Sequence, residues 1–182
     1  MSPTMALPRE AAGEPRLVES AQLGDRAAFG ELYRRYARMV HGVLLTRVPP
    51  GDAEDLLHDV FLSAMRRLPA LREQAAFGAW LAAIARAKAI DHLRARRRSE
   101  ELPENLPSRG ATAHQQAEAA RVLEAIRRLP EAYRETLVLR LAEGLTGPEI
   151  AEQTGLTPDS VRVNLARGMK LLRQKLEGGE GR

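Results

Sequence analysis

The chain has 182 residues, of which 44% are hydrophobic, so it is long enough for one ordinary domain or two small helical ones. Only 4% of the residues are aromatic, and Ala, Leu, Arg and Glu dominate, which favours helices over strands. The sequence contains no cysteine, which excludes a disulfide scaffold, a thiolate metal site and a cysteine nucleophile. The formal net charge of +4 indicates a polyanionic partner only if the positive charge is concentrated.

Residues 1–16 carry three prolines and no hydrophobic periodicity, which predicts a disordered tail. This segment lacks the apolar stretch of a signal peptide, and no segment approaches the roughly 20 apolar residues of a membrane span. We therefore expect a cytoplasmic protein that does not insert into a membrane.

Residues 17–98 predict a first helical domain. Gly24 is expected to end a short helix, and Asp25 to cap a longer one. Asp52 is expected to cap the next helix, which Pro69 ends. Phe77, Trp80 and Leu81 begin a third apolar stripe at helical spacing. Residues 99–118 then lose this periodicity and carry four acids against one arginine, as expected of a flexible linker.

Residues 119–177 predict a second helical domain that contains a helix-turn-helix. Thr146 and Glu149 have the spacing of a capping box, and Gly155 stands where a tight turn requires positive φ. Thr157 and Pro158 then provide the cap and first position of another helix. The predicted fold class is therefore all-α, with two small helical domains joined by the linker.

The last helix has one apolar and one basic face, since residues 157–176 hold five basic residues and one acid. A helical hairpin with a solvated basic face would share this charge pattern, but the caps and the glycine favour DNA binding. The candidate DNA-binding residues are Thr157, Ser160, Arg162, Val163, Asn164, Arg167 and Lys170.

A second basic segment, residues 86–98, holds six basic residues and one acid at the end of the third long helix. Phosphate contact is favoured over a merely solvated helix end, while Trp80 alone is more typical of a core residue. The candidate residues for a second nucleic-acid contact are Trp80, Arg86, Lys88, Arg94, Arg96, Arg97 and Arg98.

Four segments in order resemble the extracytoplasmic-function (ECF) group of bacterial sigma factors, over about residues 17–177. They are AQLGDRAAFGELYRRY, GDAEDLLHDVFLSAMRRL, FGAWLAAIARAKAIDHLRARRR and LPEAYRETLVLRLAEGLTGPEIAEQTGLTPDSVRVNLARG. The chain departs from the usual family pattern at Met65, Ala87, Val163 and Asn164.

The resemblance implies a transcription initiation factor without catalytic activity or cofactor. The first domain, similar to sigma region 2, would dock on core RNA polymerase and melt the minus-ten promoter element, and the second, similar to region 4, would read the minus-thirty-five element. It also implies an anti-sigma protein as a regulator. The polymerase-docking candidates that it implies are Asp52, Glu54, Asp55, His58, Asp59 and Phe61.

Three alternatives remain open at this point. A helix-turn-helix regulator that acts without polymerase would explain the second domain but not the acidic and basic helices of the first. Asp55, His58 and Asp59 could bind a metal ion in an enzyme, but they lack a matching partner motif. A pure interaction adaptor does not explain two separate basic surfaces.

Overall fold

The computed structural model describes residues 13–99 and 113–179, and every regular element in these two ranges is helical. This confirms the all-α prediction. The α-helices are α1 (Glu14–Gln22), α2 (Arg26–Leu45), α3 (Pro50–Arg67), α4 (Phe77–Ser99), α5 (Ala113–Arg127), α6 (Glu131–Leu141), α7 (Gly147–Thr154) and α8 (Pro158–Gly179).

Helices α1 to α4 form the first bundle, in which α2 packs on α1, α3 and α4. The predicted cap of α2 is confirmed, because the Asp25 carboxylate accepts hydrogen bonds from the backbone N–H groups of Ala27 and Ala28. The predicted cap of α3 is wrong. Pro50 occupies the first turn and the helix begins there, which places Asp52 inside the helix.

Helices α5 to α8 form the second bundle, in which α8 packs on α5, α6 and α7. Pro130 separates α5 from α6, and Gly144 takes a positive φ of 66° shortly after α6. The N-terminus of α5 differs from the linker prediction, since α5 already begins at Ala113. Alanine and glutamine are good helix formers, so these residues extend the helix without an apolar stripe of their own.

The two bundles pack directly on each other, with α2 against α6 and α4 against α7, and they share one hydrophobic core. We call this contact the seam. Gly42 of α2 allows close approach, because a Cβ there would lie 2.6 Å from Leu139 Cδ2 of α6. A Cβ at Gly78 of α4 would likewise lie 2.3 Å from the Gln153 carbonyl oxygen of α7.

The predicted tail and linker fall largely outside the described residues. Residues 1–12 and 100–112 are not described, while α1 already begins at Glu14 and α4 still includes Ser99. Among the described residues, no helix is both long and apolar enough to cross a lipid bilayer.

Candidate nucleic-acid and partner-binding surfaces

Helices α7 and α8 form the predicted helix-turn-helix, and local hydrogen bonds define its turn. Glu149 N–H donates to Thr146 Oγ1 at 3.4 Å, and Thr146 N–H donates to the Glu149 carboxylate at 2.7 Å, which completes the capping box. The hydrogen bonds from Thr146 lower the pKa of Glu149. Gly155 ends α7 at φ +74°, and Thr157 Oγ1 accepts from Ser160 N–H at 3.1 Å to cap α8.

The packing of the inner face of α8 determines which residues of this helix point outward. Val161, Gly168 and Leu172 are buried. Gly168 lets α8 approach α6 closely, because a Cβ there would lie 2.9 Å from Leu137 Cδ1. This contact restricts rotation of α8 about its own axis, so Gly168 positions the opposite face although it belongs to the core.

The outer face of α8 presents the predicted reading residues. Thr157, Ser160, Arg162, Arg167 and Lys170 are exposed, whereas Val163 and Asn164 are half-buried. Arg162 makes an ion pair with Asp159 at 3.3 Å, but both side chains are largely exposed, so this pair restrains the arginine only weakly. The face is therefore basic, with a small apolar and amide patch at its edge.

Helix α3 presents an exposed stripe that is partly acidic and partly apolar. Glu54, Asp55, His58 and Asp59 are exposed, as predicted for a surface role. The same helix also exposes Leu62 and Met65, at 47% and 48%. Both residues follow Asp55, His58 and Asp59 at helical spacing, so they extend the same exposed stripe.

Phe61 differs from the other docking candidates, because it is only 3% exposed. Its ring centroid lies 4.4 Å from that of Tyr33 and 6.3 Å from that of Phe29, both on α2. The side chain anchors α3 to α2, and the exposed stripe lies on the other side of the helix. Phe61 therefore supports this surface from inside the core.

Asp52 lies between two of the predicted surfaces. Its Oδ2 is 3.0 Å from His92 Nε2 and 2.9 Å from Arg96 Nη1, both on α4. The structure thus joins a predicted docking residue to a predicted DNA-binding residue. Sequence reasoning had assigned these residues to separate sites.

The basic end of α4 is exposed, and its arginines differ in their contacts. Arg94, Arg97 and Arg98 are exposed, and Arg94 approaches Asp91 only at 3.8 Å. Further back on the helix, Lys88 is half-buried. Trp80 is also half-buried, with its ring centroid 5.7 Å from that of Phe77.

Arg86 lies at the seam, apart from the terminal arginines. Its Nε and Nη2 atoms donate to the two carboxylate oxygens of Glu135 on α6, at 2.7 and 2.8 Å. Burial by itself would raise the pKa of Glu135, but Arg86 and Arg47 together lower it, so the carboxylate is charged in this site. Sequence reasoning did not identify Glu135.

The metal-binding alternative receives no geometric support from the described part of the chain. There, no group of three or more His, Cys, Asp or Glu side chains is arranged to hold a metal ion. Asp55, His58 and Asp59 share a helix surface but do not converge with further ligands.

Comparison with known proteins agrees with the two-bundle arrangement. Residues 32–99 match the family model for sigma-70 region 2, and residues 119–172 match that for sigma-70 region 4. The chain is 34% identical to the ECF RNA polymerase sigma factor BldN of Streptomyces coelicolor over 170 residues, which cover 88% of this chain and 64% of BldN. The chain thus spans a little under two thirds of BldN.

A second relative matches over nearly its whole length. The ECF RNA polymerase sigma-E factor of Escherichia coli is 32% identical over 177 residues, which cover 88% of this chain and 93% of the relative. Among solved structures, CnrH in complex with the cytosolic domain of CnrY is similar with a TM-score of 0.62 and 25% identity, over 91% of this chain and 98% of CnrH. Two sigma regions in this order, together with a relative that is 32% identical over 93% of its own length, show that the chain belongs to the ECF RNA polymerase sigma factors, which act in transcription initiation.

Proposed function

We propose that this chain directs core RNA polymerase to promoters through three surfaces and performs no catalysis of its own. The observation that carries the proposal is that α3 and α8 expose faces of opposite charge while their apolar faces are buried in separate bundles. One face suits a protein partner and the other suits DNA.

The docking surface consists of the exposed α3 stripe. Carboxylates beside exposed Leu62 and Met65 provide electrostatic steering together with apolar contact area, a combination that suits a protein interface. DNA phosphates would repel these carboxylates. Core polymerase is the partner that we assign to it. The docking residues are Asp52, Glu54, Asp55, His58 and Asp59, with Leu62 and Met65 added.

The DNA surfaces lie on α4 and α8. Exposed Arg94, Arg97 and Arg98 neutralise phosphates near the minus-ten element, where Arg86, Lys88, Arg96 and Trp80 also belong. The outer face of α8 reads the minus-thirty-five element in the major groove, as expected of the second helix of a helix-turn-helix.

We further propose that the protein acts in the cytoplasm, where polymerase works, and that a regulatory partner holds it inactive. In a solved structure similar to this chain, CnrH is bound to the cytosolic domain of CnrY. This supports a bound protein as the regulator of this chain, which we assign as an anti-sigma protein.

The test is run-off transcription on a pool of genomic fragments with core polymerase, with and without the protein. Promoter-specific transcripts should appear only with both. A variant with Asp55→Lys and Asp59→Lys should lose core binding and transcripts, whereas a control with Glu19→Lys and Glu73→Lys, both exposed positions of the same bundle, should retain them. Specific DNA binding without any transcript would instead identify a regulator that acts without polymerase.

A further inference from the structure

A polar cluster joins the two sigma regions across the seam, and Glu135 is its centre. Arg86 binds both oxygens of this carboxylate, at 2.7 and 2.8 Å, and Arg47 Nη1 approaches it at 3.3 Å. Arg47 also pairs with Glu131 one turn earlier on α6. Two guanidinium groups of region 2 are therefore held by acids of region 4.

The burial of these side chains restricts which groups can pair within the cluster. Glu135 and Arg47 are 15% and 14% exposed, and Arg86 is 36% exposed. A two-pronged guanidinium–carboxylate contact has fixed geometry, and a guanidinium binds a phosphate in the same way. Glu135 thus gives Arg86 the type of contact that a DNA phosphate would give.

We propose that Glu135 is an autoinhibitory latch: it replaces a DNA phosphate on Arg86, holds the two sigma regions together, and must release Arg86 before the promoter is engaged. The competition for Arg86 rests on the proposed function, since it requires that Arg86 contacts DNA. The latch between the two regions does not depend on that assignment.

The dimensions of a promoter require that the seam opens. The minus-ten and minus-thirty-five elements lie about 25 base pairs apart, which is roughly 85 Å at about 3.4 Å per base pair. A compact chain of this length has a radius of gyration of roughly 16 Å and is therefore about 40 Å across. The closed arrangement cannot reach both elements, and separating the regions breaks the Glu135 contacts.

The seam also contains a polar group that favours opening. Gln153 of α7 is buried, and its side-chain oxygen accepts no hydrogen bond from the described residues. Burial of a polar group without a partner is unfavourable. Exposing this amide on opening therefore offsets part of the stabilisation that the ion pairs give to the closed arrangement. Meanwhile Arg167 and Lys170 on α8 are exposed in the closed arrangement, so the latch covers Arg86 and leaves the region 4 reading face accessible.

A charge-swap experiment on the full chain tests the latch. Because the sequence has no cysteine, labels can be placed at Ala70→Cys in region 2 and Gln174→Cys in region 4, both exposed, and the distance between them measured by electron-spin or fluorescence methods. Arg86→Glu alone and Glu135→Arg alone should each lengthen or broaden the distance distribution. The double variant should restore the short distance of the parent.

Controls separate opening from unfolding. Glu177→Arg, an exposed reversal near the end of α8, should leave the distance unchanged, and far-UV circular dichroism should show equal helicity in all variants. An unchanged distance in both single variants, or a double variant that stays open, overturns the latch.

Duplex DNA binding tests the competition separately. Glu135→Gln should bind DNA more tightly than the parent at low salt, with a slope of log affinity against log salt that is steeper by about one. If Glu135→Gln opens the regions without this change, the latch stands and Arg86 is not a DNA-binding residue. If DNA binding tightens while the distance stays short, Glu135 is a local electrostatic competitor and the latch is overturned.

Discussion

Arg96 Nη1 lies 2.9 Å from Asp52 Oδ2, so one carboxylate at the start of α3 restrains a cation of the basic α4 segment. His92 shares the same oxygen at 3.0 Å. The proposed docking surface and the proposed DNA surface therefore meet at two residues that contact each other. A change in one surface is expected to affect the other.

Asp52→Asn should weaken core polymerase binding and strengthen non-specific DNA binding. It removes one acidic group from the docking stripe and releases Arg96 for phosphate contact. The slope of log affinity against log salt should become steeper by up to about one, because one more counterion is released. Competition binding to core and a salt titration with duplex DNA measure the two effects. Parallel weakening of both would show that the pair is only structural.

The exposed arginines of α4 should act through phosphates. Replacing Arg94, Arg97 and Arg98 by Ala should weaken binding to every promoter and flatten the salt dependence by about one slope unit per lost contact. Sequence preference should stay the same. A salt titration on two unrelated promoters measures this, and a change of preference at one base with an unchanged slope would identify a base reader.

Val163 and Asn164 should read bases of the minus-thirty-five element. Val163 is half-buried yet is not among the residues packed on the core, so its methyl groups remain available to a thymine methyl. Asn164 has the amide that suits adenine, and a good two-pronged contact contributes roughly 1–3 kcal/mol of discrimination. Val163→Ser and Asn164→Arg should each shift the sequences selected from a random library. Identical selected sequences for the parent and both variants would show that neither residue reads a base.

Gly42→Ala should open the seam without changing any charge. The new Cβ would lie 2.6 Å from Leu139 Cδ2 and 3.0 Å from Glu143 Cγ across the seam. Overpacking of this kind costs about 1–3 kcal/mol, while the helix itself gains up to about 1 kcal/mol from the replacement of a glycine. The interregion distance should therefore increase while helicity is retained. Gly30→Ala is the matched control, because nothing lies within 4 Å of its added Cβ in the same helix.

The closed arrangement should become less stable as the pH rises above neutrality. His41 Nδ1 lies 2.7 Å from Glu143 Oε1 across the seam, and this hydrogen bond raises the pKa of His41 above 6.5. Glu54 on α3 also raises the pKa of His41, and Arg38 donates a hydrogen bond to the backbone oxygen of Glu143. Because the pKa of His41 is raised in the closed arrangement, the stabilisation that this hydrogen bond gives to the closed arrangement is complete below pH 6.5. It is lost as the pH rises through the pKa that His41 has in the closed arrangement.

Glu135 should not contribute to this change. Its pKa is lowered, so its stabilisation is complete above its ordinary value of 4.5 and is lost only at more acidic pH. The labelled distance should therefore lengthen as the pH rises above 6.5 in the parent, whereas His41→Gln should remove the dependence. A pH-dependent distance that persists in His41→Gln would assign the effect to another group.

Features that depend on residues close together in the chain could be predicted from the sequence. The Asp25 cap, the Thr146–Glu149 capping box and the turn at Gly155 each involve residues within a few positions of one another, so their spacing predicted the helix boundaries and the helix-turn-helix. The same reasoning failed at Asp52, because Pro50 begins α3 earlier than the nearest capping residue suggested.

Which side chains each helix presents to its neighbours depends on how the helices pack, and this became visible only in the fold. Phe61 belongs to the core because α3 turns that side toward α2, and Arg86 lies against Glu135, 49 positions away, because α4 and α6 meet at the seam. Helical periodicity assigns residues to a face, but the packing of two bundles fixes what that face contacts. Pairing across the seam depends on short interhelical distances, which the close-packing glycines permit. No local sequence pattern encodes these distances.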